Sequence, residues 1–197
     1  MLQNKDNSPG FTQSFTKIRK DNTTFLQYEE ERGRYHVGIF VDIFPIDRMP
    51  IGKVNRLFFI WDCLRYQLYT REFIPPKGNF VEKMVSSVLL KCVPQKKRRL
   101  KREKLLRRIT QFNNDSTLPM VSISTAHSIK CTWPSSLMDQ FVYLSFEESE
   151  FMCSSEWDEF LRREYGDYMK LPPEDERTWR HHPIILDFKR NLEECGD

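Results

Sequence analysis

The stretch at residues 37–50, VGIFVDIFPIDRMP, sets the frame for the rest of the chain. Val37 to Ile43 is apolar throughout except for Asp42, and Pro45 and then Pro50 close it. A run of this kind predicts a central strand covered on both faces. Asp42 is the anomaly. An ionised carboxylate buried there without a partner costs several kcal/mol, so a basic side chain, backbone N–H groups or a divalent cation has to compensate it. A strand-end aspartate that caps the turn at Pro45, or pairs with an arginine, meets that need as well as a metal ligand does. Asp47, just past Pro45, reads as a turn residue.

Upstream, Phe11 to Lys20 (FTQSFTKIRK) reads as a strand ending in the turn Asp21-Asn22, and Thr23 to Tyr28 as a short second strand. Glu29 to Arg34, with Gly33, reads as a loop. Lys17 and Arg19 lie two apart and so share one strand face, where they can meet a phosphate or form an exposed basic ladder.

Downstream the pattern turns helical. Leu57, Trp61, Leu64 and Leu68 fall on one face of a helix spanning Lys53 to Phe73, which Pro75-Pro76 and Gly78 stop. Asn79, with Glu82 three residues on, predicts a capped second helix carrying Val81, Met84, Val85, Val88, Leu89 and Cys92, ended by Pro94. Then comes KKRRLKREKLLRRITQF, where nine of the thirteen residues from Lys96 to Arg108 are Lys or Arg, with one apolar edge at Leu105, Leu106, Ile109 and Phe112. Val121 to Thr125 and Phe141 to Phe146 predict short strands, and FEESEFM (146–152) a tight hairpin or bulged edge. Ser155, with Asp158 at the third position, predicts the cap of a helix that Gly166 stops. Pro172-Pro173 begins an acidic turn, and His182 to Asn191 reads as a last short helix.

Composition bounds the function. The 197 residues carry 39% apolar, 13% aromatic and 30% charged side chains, enough to bury a core as one α+β domain. A net charge of +3 does not by itself point to nucleic acid, and no aromatic interleaves the basic helix as base stacking requires, so no nucleic-acid partner is expected. No run approaches the ~20 apolar residues of a membrane span, and the polar start MLQNKDNSPG lacks a signal core. Cys63, Cys92, Cys131, Cys153 and Cys195 are odd in number and dispersed, as in reduced cytoplasmic proteins. His36 and His127 stand alone, and no GxSxG or other nucleophile–base constellation occurs. The segment from Asn79 to Arg108 suits peripheral contact with an anionic membrane or with a polyanionic glycan.

Three blocks, FTKIRKDNTT, GIFVDIFPIDRMP and YGDYMKLPPEDERTWRHHP, in that order and at these separations, resemble the LicD family, whose relatives include fukutin-related proteins. The resemblance covers nearly the whole chain as a single LicD-like domain, residues 1–197. It implies a nucleotidyltransferase-like α+β fold, a mixed sheet flanked by helices and incomplete at its N-terminus. It also implies transfer of phosphocholine, or a similar phosphoalcohol, from a CDP-linked donor such as CDP-choline. The acceptor is a sugar of a cell-surface polysaccharide, teichoic acid or lipopolysaccharide precursor at the cytoplasmic face of the membrane. By the same resemblance Asp42 is a metal-binding, catalytic carboxylate for a divalent ion, in the main Mg²⁺, while Lys17, Arg19, Arg177, His181 and His182 bind substrate.

Family members also carry a block resembling GTLLGxxRHxGFIPWDDDID, with a Gly-rich turn for phosphates and an Asp cluster for metal. The chain has no such block and no Asp-x-Asp, so a truncated form is expected. Phosphoryl transfer needs positioned cations, and Asp42 alone hardly retains Mg²⁺. The alternative is a non-catalytic remnant, a module that binds anionic glycan or a membrane surface. Loss of a strand–helix unit predicts an unpaired sheet edge and an exposed part of the core.

Overall fold

The computed structural model describes residues 1–8, 10–27, 36–74, 79–177 and 183–195. In chain order the strands are β1 (Leu2–Gln3), β2 (Thr16–Arg19), β3 (Thr24–Gln27), β4 (Phe40–Ile43), β5 (Ile46–Arg48), β6 (Met120–Ser122), β7 (Thr132–Trp133), β8 (Phe141–Phe146), β9 (Ser149–Ser154) and β10 (Pro183–Asp187). The helices are α1 (Lys53–Arg71), α2 (Phe80–Cys92), α3 (Gln95–Thr110) and α4 (Trp157–Tyr165). This is a mixed α+β chain. Where one mixed sheet was expected, the described strands form four small antiparallel sheets, β1-β2-β4, β10-β3, β5-β6-β7 and β8-β9. Two compact units result: Met1–Pro45 with Gln67–Arg98 and Pro172–Asp197, and Ile46–Tyr66 with Arg99–Leu171.

In the first unit β2 pairs with β4 so that Lys17 faces Asp42 and Arg19 faces Phe40. The expected central strand is shorter and lies at the sheet edge. Residues 37–39 precede it as irregular chain, although Lys20 N–H still reaches the Ile39 carbonyl. Val41 is 67% exposed, and Ile18, Ile43 and Leu2 on the same face are exposed too. The uniformly apolar sequence concealed a true alternation. Gln3, Lys17 and Arg19 are the buried residues, with Phe40 and Asp42 partly covered beside them.

The end of the chain departs from expectation. Residues 183–187 extend as β10 along β3, with Leu186 opposite Phe25 and Asp187 opposite Thr24, in place of a helix. Asp187 closes the strand, its carboxylate accepting from the backbone N–H groups of Lys189 and Arg190. Those bonds hold it below the usual carboxylate range. Helix α2 begins as its sequence predicts: Asn79 accepts from Glu82 N–H and Glu82 accepts from Asn79 N–H, a reciprocal cap. Its apolar residues Val81, Met84 and Val88 nevertheless stay exposed.

The second unit has a dry core of Met49, Phe59, Cys63, Ile109, Val121, Ile123 and Ile129, with Phe112 edge-on to Phe59. A satellite joins Met120, Trp133 and Leu137, with Trp133 stacked on Phe160 of α4. Helix α1 turns Phe59 and Cys63 inward, whereas Leu57, Trp61 and Leu64 of the stripe read from sequence face water. Only Leu68 of that stripe is buried. Hairpin β8–β9 forms as expected, with Glu147 at φ 53° in its turn. Helix α4 is not capped by Ser155: it starts after Glu156, and the Ser154 hydroxyl accepts from Glu156 N–H. Gly166, at φ 70°, ends it as predicted, a left-handed position that glycine adopts without penalty. All five cysteines are free; Cys63 is buried and Cys92 exposed.

Candidate functional site

The pairing of β2 with β4 brings three of the residues singled out from sequence onto one sheet face. Lys17 Nζ lies 3.9 Å from Asp42 Oδ1 and 3.4 Å from the centre of the Phe40 ring. The buried ammonium thus has a carboxylate and an aromatic π-face beside it. Asp42 has a side chain 25% exposed, while its Oδ1, the oxygen toward Lys17, is buried. The cost of burying this acid is met, at least in part, by a basic side chain, one of the three compensations that the sequence left open.

Arg19 is turned inward. Its Nε donates to Gln3 Oε1 at 2.6 Å and its Nη1 to the Gly38 carbonyl at 2.9 Å, with the guanidinium 5.0 Å over Phe40. Gln3 in turn donates to the His36 carbonyl. Burial lowers the His36 pKa, while Asp21, 3.3 Å from Nε2, pulls the other way. Gly38 owes its place to close approach: a Cβ there would stand 2.2 Å from the Lys20 carbonyl oxygen. Gln3 and Gly38 escaped the sequence reading. A glycine inside an apolar run was the available signal, since it marks a place where backbones approach closely.

Arg177 sits in a turn of its own, exposed, donating from Nε to the Pro172 carbonyl at 2.7 Å rather than to Glu174 or Asp175. His181 and His182 lie outside the described residues. Among the described residues no group of three His, Cys, Asp or Glu side chains is placed to hold a metal ion. Asp42 with an ammonium beside it does not make a divalent-cation site from the donors present. What the described residues bring together is narrower, a partly covered carboxylate next to a buried cation.

Two further buried acids, both in the second unit, carry structure. Asp47 is no simple turn residue: it sits in β5, buried, with Asn113 Nδ2 donating to it at 2.8 Å, while burial raises its pKa. Asp62 on α1 accepts from Arg65 one turn on and from Arg108 Nε of α3 at 2.9 Å. The i, i+3 spacing of Asp62 and Arg65 was legible; the Arg108 partner was not.

Comparison with known proteins finds one partial likeness to report. Over 52 residues, 26% of this chain, it is 36% identical to the lipopolysaccharide cholinephosphotransferase LicD of Haemophilus influenzae. The matched stretch spans a fifth of that protein's length. No family model matches the chain, and no solved structure matches it. The relationship supported is LicD-like.

Proposed function

We propose that the chain carries part of a LicD-like phosphotransferase with a nucleotidyltransferase-like arrangement. It passes phosphocholine, or a similar phosphoalcohol, from a CDP-linked donor to a sugar hydroxyl of a cell-surface glycan precursor. The observation that carries this reading is the 36% identity over 52 residues to a cholinephosphotransferase. The Lys17–Asp42 pair supports it, because a partly exposed carboxylate beside a buried cation suits binding and proton transfer at a phosphate. In this reading Lys17 meets a donor phosphate oxygen and Asp42 orients the acceptor hydroxyl or takes its proton. Arg19, fixed to Gln3 and Gly38, holds the strand that presents Lys17. Arg177, His181 and His182 serve the donor from the C-terminal segment. A divalent cation, Mg²⁺ foremost, would need donors beyond the described residues.

The test is release of CMP from CDP-choline in the presence of a glycan precursor fraction, joined to calorimetry with CDP-choline. Asp42→Asn should lower CMP release on the order of 10²-fold or more while leaving the fold intact. Equal rates in the two proteins would remove Asp42 from the site. Glycan binding without any CMP release would favour the module that only binds anionic glycan.

A further inference from the structure

The stripe that sequence pattern assigned to one face of α1 is a surface. Val54, Leu57 and Phe58 are 64%, 67% and 61% exposed, and Trp61 and Leu64 continue the line at i, i+3, i+4, i+7 and i+10. Ile51, just before the helix, extends it. The opposite side of the same helix, Phe59 and Cys63, packs in the core of the second unit against Ile109 of α3. An apolar face this continuous marks a place of contact.

What borders the stripe identifies the contact. Lys53 is exposed at its start. On its far side Arg65 lies 5.6 Å over the Trp61 ring and shares the buried Asp62 with Arg108 of α3. One and two turns back from Arg108, on the same face of α3 and past the Leu64 end of the stripe, stand Lys104 and Lys101, both exposed. Asp62 is the one acidic residue of α1, and two arginines neutralise it. In α3 the sole acid, Glu103, already accepts from Arg99. The charge that α1 and α3 present beside the stripe is therefore positive.

That sign selects the occupant. A two-fold interface between copies of the chain would press these like charges together, which disfavours pairing. A bilayer with anionic headgroups offers apolar depth for the stripe and phosphates for the rim. We propose that this face of the second unit rests on an anionic membrane. Val54, Leu57, Phe58 and Leu64 enter the headgroup–acyl boundary, Trp61 sits at headgroup level, and Lys53, Lys101, Lys104 and Arg108 meet lipid phosphates. Of the segment 79–108 expected to touch a membrane, this contact uses α3 and joins it to α1. Among the described residues no helix is long and apolar enough to cross a membrane, so the contact is peripheral.

The experiment is sedimentation of the full chain with vesicles of phosphatidylcholine alone and of phosphatidylcholine mixed with phosphatidylserine, at low and high NaCl. Binding to the mixed vesicles should exceed that to the neutral ones by about tenfold or more and fall with salt. Lys101→Ala and Lys104→Ala should each weaken it about fivefold. Leu57→Glu with Phe58→Glu should abolish it while preserving circular dichroism, since both residues are exposed; Leu57→Gln alone, expected to weaken binding severalfold, carries the test if the double variant misfolds. Equal binding to both vesicle types, or unchanged binding of the stripe variants, overturns the proposal. So does a wild-type dimer that the stripe variants split, which would place a second copy on this face.

Discussion

The core of the second unit and one sheet of the first bury different things. The second unit encloses Met49, Phe59, Cys63, Ile109, Val121, Ile123 and Ile129. The sheet β1-β2-β4 of the first unit covers Gln3, Lys17 and Arg19 and leaves Leu2, Ile18, Val41 and Ile43 in water. A core held by apolar area depends on volume, whereas one held by charge and hydrogen bonds depends on each partner being present. The difference also fits the site. Lys17 and Asp42 are fixed by contacts that only a polar interior supplies, and the sheet forgoes burial of its apolar side.

The contrast is open to attack by substitution. Ile109→Ala, a deletion in the closed core of the second unit, should cost about 3 kcal/mol in urea unfolding. Gly38→Ala, which forces a methyl against the Lys20 carbonyl, should cost about 2 kcal/mol and displace the strand that carries Asp42. Arg19→Met leaves Gln3 Oε1 and the Gly38 carbonyl without this donor and should cost about 1.5 kcal/mol, although no apolar volume is lost.

Asp47 gives a pH signature, smaller again. Its folded pKa lies above the ordinary 3.8 because burial disfavours the carboxylate. Between the ordinary and the raised value the folded chain binds more protons than the unfolded one, so stability falls as pH climbs through that window. Asp47→Asn, which keeps the acceptor for Asn113, should flatten this slope in unfolding titrations. Val41→Thr on the exposed face should change stability by less than about 0.5 kcal/mol yet lower any self-association seen in sedimentation. A large loss there would mean that the apolar side of β1-β2-β4 is covered after all.

The sequence revealed local devices better than sidedness. The Asn79–Glu82 cap, the α1 and α3 helices, the β8–β9 hairpin and the Gly166 stop depend on neighbours a few residues away, which the sequence displays. It also placed Lys17 and Arg19 on one face, because strand alternation is strict. Which face turns inward depends on distant partners. Thus the Leu57–Trp61–Leu64 line looked like a core edge and is surface, and VGIFVDI looked covered on both sides and is an edge strand with one face in water. The pairing of Pro183–Asp187 with β3 was hidden for the same reason, since a five-residue apolar run is ambiguous between strand and helix until its partner is known.

That pairing of β10 with β3 also orders events during synthesis. Thr24 donates its hydroxyl to the Arg190 carbonyl, 166 residues ahead in the chain. The second unit ends at Leu171, so all its segments are synthesised before Pro183. The nascent chain can therefore complete its apolar core first, while β3 waits for its hydrogen-bonding neighbour until Pro183–Asp187 emerge. A stop codon before residue 183 should leave a protease-resistant second unit attached to an open first one.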